Sequence, residues 1–263
     1  PDSKPISLEM GSGDDSVLGT NFNDTLDGGL SGGDQMSGFG GDDILLGGPG
    51  EDLIQGNAGN DVIDAGINQA GDIADGGSGN DFIFASGSNG AFYTFNGESG
   101  DDYILLGQST ANAPGAEGGE GDDWIEGAAK TDLINGDNGV NAFAVTNLAG
   151  GNDVLDGKGG IGDILSGDGG DDILRSGYSV AAALDGGTGF NWVTYDKNVR
   201  LDNGPVPPVP SVWIDLSGLI PAPTTAILDG IANIDAFSLS PGSDVLYTAR
   251  ERDSVLNLQP SCI

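Results

Sequence analysis

Large apolar residues recur singly along this chain, at Val17, Leu26, Met36, Leu45, Ile54, Ile63 and Ile83, then at Ile104, Ile125, Ile134, Phe143, Leu155, Leu165, Leu174 and Val193, with Ala74 in the same file. Most steps are nine residues, or about twice nine where a unit has decayed. Neither the period of an amphipathic helix nor sustained alternation fits this pattern. Two positions before each apolar residue stands an acid or its amide: Asp15, Asp24, Asp34, Asp43, Asp52, Asp61, Asp72, Asp81, Asp102, Asp123, Asp132, Asn141, Asp153, Asp163, Asp172 and Asn191. From that acid onward each unit is a strand long enough to bury one side chain, because successive side chains point to opposite faces. The glycine-rich half before it admits positive φ and hence a tight turn. Self-similarity at a fixed period from Met10 to Thr194 predicts a solenoid rather than a globule.

The template is clearest between Gly38 and Asp64, where GFGGDDILL, GGPGEDLIQ and GNAGNDVID each read G-G-x-G-x-D-x-U-x. This unit resembles the haemolysin-type calcium-binding nonapeptide repeat of the RTX family, which forms a parallel β-roll. The resemblance implies a secreted bacterial protein, exported by a type I route and folded by calcium. It covers 1–195 as a β-roll and leaves 196–263 as a linker and a small β-rich C-terminal cap, an all-β chain throughout.

Two nonapeptides make one turn, so acids two repeats apart stack at about the 4.8 Å strand spacing. A hard cation wedged between stacked turns can collect the six to eight oxygen ligands that calcium prefers. The expected ligands are Asp15, Asp24, Asp34, Asp43, Asp52, Asp61, Asp72, Asp81, Asp102, Asp123, Asp132, Asp153, Asp163 and Asp172, with the backbone at Gly41, Gly50, Gly59, Gly79, Gly100, Gly121 and Gly170. About ten calcium ions are expected. Parity sorts the acids into two rows. One holds Asp24, Asp43, Asp61, Asp81, Asp102, Asp123, Asn141 and Asp163. The other holds Asp15, Asp34, Asp52 and Asp72, loses the pattern across 86–95 and 107–117, and recovers at Asp132, Asp153 and Asp172. A calcium gap is expected in that second row.

Charge makes the same demand. Acids outnumber bases 41 to 8, for a formal charge of −33, and Gly supplies 49 of 263 residues. Such a chain resists collapse unless something offsets the charge. One apolar residue per half-turn, each contributing about 1.5–3 kcal/mol on burial, is small against about 1–2 kcal/mol per residue of backbone ordering. Folding is therefore expected to be linked to metal binding. The same charge has the wrong sign for nucleic acid.

The chain holds no His, which removes His-based triads and most zinc or haem ligation from this segment. Cys262 is the single cysteine, so no intrachain disulfide can form. No apolar run approaches the roughly 20 residues of a membrane span. The stretch PDSKPISLEM lacks the pattern of a cleavable leader, so the segment is expected to be a mature product or to rely on a C-terminal export signal. Adjacent acids such as Asp42/Asp43 and Asp122/Asp123 could suggest glycosidase carboxylates, but the repeat accounts for each pair. No enzyme activity is expected within this segment.

After Thr194 the pattern changes. GPVPPVP (204–210) reads as a link, strand-like alternation follows, and GSDVLYT (242–248) reads as a relic half-repeat with Asp244 in the acid position. On the outer face, Phe82, Tyr103 and Trp124 fall in succession at the seventh position. They are read as cross-strand pairs or as a strip for self-association or for glycan and cell-surface contact. Outward rows of Thr, which ice binding would require, are missing. The leading expectation is a calcium-folded structural or adhesive module outside the cell. The alternative is the accessory region of a secreted protease, lipase, haem peroxidase or polysaccharide-modifying enzyme, and a lyase or epimerase site on the roll is a weaker third.

Overall fold

The computed structural model describes residues 4–66, 71–86, 94–107, 115–128, 131–137, 150–158, 162–175 and 182–194, and the backbone of a few short strands beyond them. The chain winds between two parallel sheets, visiting them alternately. The first sheet has 11 strands. It begins with Ser7–Glu9, Thr25–Asp27, Ile44–Leu46 and Val62–Asp64, continues through Phe82–Phe84, Tyr103–Leu105, Trp124–Glu126, Val154–Asp156, Ile173–Arg175 and Trp192–Thr194, and ends with Ala236–Ser238. The second has 10, from Ser16–Leu18 through Leu53–Ala58, Ile73–Ser78, Thr94–Ser99, Gly115–Glu120, Leu133–Asn135 and Ile164–Ser166 to Ala183–Asp185 and Gly230–Ala232. This is the parallel β-roll that the repeat implies.

The core is two facing columns of single residues. Leu26, Leu45, Ile63, Ile83, Ile104, Ile125, Leu155 and Leu174 come from the first sheet, and Met36, Ile54, Ala74, Phe95, Ala116, Ile134, Leu165 and Leu184 from the second. Most are wholly buried, as expected where one inward side chain per strand must fill the whole thickness between the sheets.

Three sequence expectations need correction. The inward file read from the sequence omits Phe95 and Ala116, yet Thr94–Ser99 pairs in register with Ile73–Ser78, Gly115–Glu120 pairs in turn with Thr94–Ser99, and these strands bury both residues. Strand pairing uses backbone groups, so it survives loss of the glycine and acid template. The parity of the rows also changes after Leu133–Asn135. Trp124–Glu126 pairs with Val154–Asp156, so Asp153 follows Asp123 and Asp163 follows Asp132. Asn141 and Phe143, expected as a half-turn between them, lie outside the described residues. Finally, Val245–Tyr247 from the supposed relic half-repeat joins Val212–Asp215 and Ile227–Leu228 in a separate three-stranded sheet. The roll is instead continued by Gly230–Ala232 and Ala236–Ser238.

Candidate metal centre

Most sixth-position aspartates close on the turn before them. On the edge that leads into the first sheet, the backbone N–H of Asp24 donates to Asp43 Oδ1 at 2.7 Å, Asp43 to Asp61 at 2.7 Å, Asp61 to Asp81 at 2.7 Å and Asp81 to Asp102 at 2.7 Å. The file runs on from Asp102 to Asp123, Asp153, Asp172 and Asn191 without a break. On the opposite edge the same bonds join Asp15 to Asp34, Asp34 to Asp52 and Asp52 to Asp72, and later Asp132 to Asp163. Between these, the residues preceding Thr94 and Gly115 are Tyr93 and Pro114, so the file of acids is interrupted where the sequence had lost its pattern.

One oxygen of each carboxylate is thus engaged, and the other is the informative one. Oδ2 of Asp43, Asp52, Asp61, Asp81, Asp102, Asp123, Asp153 and Asp172 is buried without a hydrogen-bond partner. A buried acceptor left unpaired costs about 1–3 kcal/mol, and more when charged. These atoms share their surroundings with backbone oxygens. Over Gly56, Asp61 Oδ2 and the carbonyl oxygen of Gly76 lie where a Cβ would be, and over Gly118 the same space is taken by Asp123 Oδ2 and the carbonyl of Gly136. The first-position glycines leave a cradle lined by carboxylate and carbonyl oxygens, which suits a hard cation. Among the described residues no three acidic side chains converge as a metal-holding group, so most of the oxygens would come from the backbone.

The fourth-position glycines are fixed by stacking. At Gly100 φ is +134, and a Cβ would collide with the carbonyl group of Gly79 in the turn before. At Gly50 a Cβ would meet the carbonyl of Gly32. These positions pack backbone on backbone.

Burial governs the electrostatics. It pushes the carboxyls of Asp43 and Asp52 up to about 6, Asp81, Asp102 and Asp172 up to about 7, Asp123 and Asp132 up to about 8, and Asp153 up to about 9. Neighbouring carboxylates add to the rise, and the backbone N–H donors oppose it. Carboxylates so reluctant to ionise on their own are ready partners for an added positive charge.

Not every expected ligand looks alike. Asp24 accepts from Ile6 N and Thr20 Oγ1 at Oδ1 and from Thr20 N at Oδ2. Asp132 Oδ2 accepts from Ala128 N at 2.9 Å. Local donors thus occupy both oxygens of Asp24, whereas at Asp132 the two oxygens exchange roles and Oδ1 is the buried atom without a partner. Asp15 is only half-buried.

Sequence reasoning missed a second ladder. At the fifth position of the first edge, Asp42 N donates to Asn23 Oδ1, Asn60 N to Asp42, Asn80 N to Asn60, Asp101 N to Asn80 and Asp122 N to Asp101. Asn152, Asp171 and Phe190 extend it. It runs in the opposite direction to the buried file, since the later turn now donates to the earlier. Its signal was the steady Asn or Asp at that position, hidden among the paired acids.

The family comparison agrees with this geometry. The model of the RTX calcium-binding nonapeptide repeat matches in four copies, at residues 11–34, 37–69, 67–89 and 117–143. This chain belongs to the RTX calcium-binding nonapeptide repeat family. Calcium binding by the repeats of the β-roll follows from that membership, and the family suggests a secreted protein. No curated protein matches the RTX chain. Among the described residues, no helix is long and apolar enough to cross a membrane.

Proposed function

We propose that this RTX roll is a structural or adhesive module of an extracellular or cell-surface assembly, ordered by calcium outside the cell and unfolded where calcium is scarce. The observation that carries the reading is the file of buried aspartate Oδ2 atoms without partners. Asp43, Asp52, Asp61, Asp81, Asp102, Asp123, Asp153 and Asp172 are the first-choice carboxylate ligands. The carbonyl oxygens beside them complete the shells, and about ten ions are accommodated along the two edges. Asp132 joins these carboxylates through Oδ1, and Asp24 follows, because a local N–H must first release its second oxygen. Bound calcium supplies the positive charge that lets these carboxylates ionise inside the roll. The aspartates then hold successive turns together through both oxygens, one on a backbone N–H and one on the shared cation. No catalytic role is assigned to this segment.

The surface proposed for assembly is the outer face of the first sheet. Phe82 stacks on Tyr103 with centroids 5.4 Å apart, and Tyr103 meets Trp124 edge-on at 6.1 Å. Tyr103 and Trp124 also donate to Glu126 Oε1, which supports the cross-strand reading of these rings. The exposed apolar side chains on that face, Ile44, Val62 and Trp192, flank the stack and offer the freer contact area.

Circular dichroism of chelated protein titrated with calcium chloride should show a coil-to-β transition at about 0.1–1 mM, the range of extracellular modules. A chelated chain that keeps its full β signal would sink the linkage. Sedimentation of the loaded protein should reveal concentration-dependent association that Tyr103→Thr/Trp124→Thr weakens; a monomer at every concentration would leave the binding and remove the assembly.

A further inference from the structure

Asp137 lies outside the repeat template, at the second position of its unit where glycine is usual, yet it is wholly buried. In the chain it lies between Asp123 and Asp153, within the longest step that enters the first edge. Its Oδ1 accepts from Gly151 N at 3.0 Å and its Oδ2 from Gly169 N at 2.7 Å. One carboxylate thus ties residue 137 to the turn that leads into Asp153 and to the turn that follows it. Over Gly150, Asp137 Oδ2 and the Gly169 carbonyl oxygen fill the place of a Cβ, much as the row aspartates do over their own glycines.

The acid also changes its neighbours' field. The charge of Asp137 bears on Asp123, Asp153 and Asp172, three ladder residues whose Oδ2 atoms are buried without partners. Because both oxygens of Asp137 already accept from backbone N–H, it acts as a positioning residue and a source of charge rather than as a further ligand.

We infer that Asp137 makes the stretch of the first edge between Asp123 and Asp172 the part of the roll that takes up calcium first. This rests on the calcium reading of the rows and adds an order of filling to it. Charge count is a principal means by which calcium sites set their affinity. A fixed negative group held among three row carboxylates raises the local attraction for a cation in a site where water screens little.

The test is isothermal titration of calcium chloride into the chelated full chain, with circular dichroism on the same samples. Wild type should show a tight class of sites ahead of the bulk. Asp137→Asn should weaken that class by roughly tenfold, whereas Asp42→Asn, which removes an exposed acid farther along the same edge, should leave it in place. If Asp137→Asn lowers the chelated and loaded stabilities equally and the tight class persists, Asp137 is a hydrogen-bond clasp only and the inference is overturned. Should Asp137→Asn fail to reach the wild-type β signal at saturating calcium, Asp137→Glu decides. A tight class kept by Glu supports the role of charge, and its loss overturns it. A wild-type chain that binds no calcium would instead defeat the calcium reading, whereas one that fills all its sites with one affinity defeats the order alone.

Discussion

The two edges of the roll are made from one template and obey different rules of length. The step that enters the first edge is nine residues at Asp15 to Asp24, Asp52 to Asp61, Asp72 to Asp81 and Asp163 to Asp172. Its one long exception runs from Asp132 to Asp153. Steps entering the second edge vary, as from Asp61 to Asp72 or Asp153 to Asp163, and they contain the stretches that end at Tyr93 and Pro114. The physical difference is the number of ladders. Two files of side-chain bonds of opposite direction run along the first edge, so each turn is held to the turns before and after it. The second edge has one such file, which lapses after Asp72 and resumes at Asp132, and its fifth positions supply a single bond, from Gly33 N to Asp14, among the described residues. Chain length is free where few polar groups depend on it.

Inserting residues is the strongest way to break this comparison. A Gly-Ser pair placed between Gly100 and Asp101 would pull Asp102 and Asp101 off their partners in adjacent turns, and with them the N–H bonds to Asp123 Oδ1 and Asn80 Oδ1. The loss should be on the order of 3 kcal/mol or more in the loaded state, several bonds at about 1 kcal/mol each plus unpaired buried acids. The same pair within 87–93 should cost under about 0.6 kcal/mol, the entropy of a slightly longer loop. Urea midpoints in excess calcium measure both. Equal losses would mean that the ladders do not set the length rule.

The same physics explains what could be read from the sequence. Asp43, Gly41 and Leu45 recur together because one position must reach the next turn, one must pack backbone on backbone and one must fill the core; all three demands fall on side-chain identity. Phe95 and Ala116 escaped because their strands are held by backbone pairing, which any sequence can supply. The parity of Asp153 and Asp163 was misread because VNAFAV (140–145) was counted as a unit by composition, whereas strand pairing sets Asp153 after Asp123 and Asp163 after Asp132. Asp137 was invisible for a related reason: its partners, Gly151 N and Gly169 N, are backbone atoms brought near by the winding.

Acidity gives a second, smaller contrast. An aspartate whose folded value is raised from 3.8 to between about 6 and about 9 binds more protons folded than unfolded across that interval. Stability of the metal-free roll therefore falls as pH rises from about 4, and acid restores it. Chelated protein should show more β signal at pH 5 than at pH 8. Calcium should reverse the order, since it needs the ionised form, and its addition at pH 7 in weak buffer should release protons. The first edge carries most of the strongly raised acids, so Asn at Asp123 and Asp153 should reduce that release more than Asn at Asp34 and Asp52. A chelated chain better folded at pH 8 would reverse the sign and refute the argument.

The smallest test concerns strain. Positive φ at the second position is held in first-edge turns by Phe39, Asn57, Glu98 and Asp168 as well as by Gly77, Gly119 and Gly187, and at the second edge by Gly29, Gly48 and Gly66 with Lys158. A left-handed conformation costs a non-glycine residue about 1–2 kcal/mol, and glycine in exchange adds about 0.5–1 kcal/mol of unfolded-chain entropy. Phe39→Gly should thus change stability by less than about 1 kcal/mol, because the two terms oppose each other. Gly48→Ala has no such offset: φ is +86, and a Cβ would lie 2.8 Å from the Gly29 carbonyl oxygen, so a loss of about 1–2 kcal/mol is expected. Calorimetric midpoints of the loaded variants resolve differences of this size. If Phe39→Gly gained as much as Gly48→Ala lost, the first-edge turn would be storing strain that its ladders do not hold. A near-zero change would mean that the ladders on both sides of the first-edge turn hold the side chain in place at no net cost.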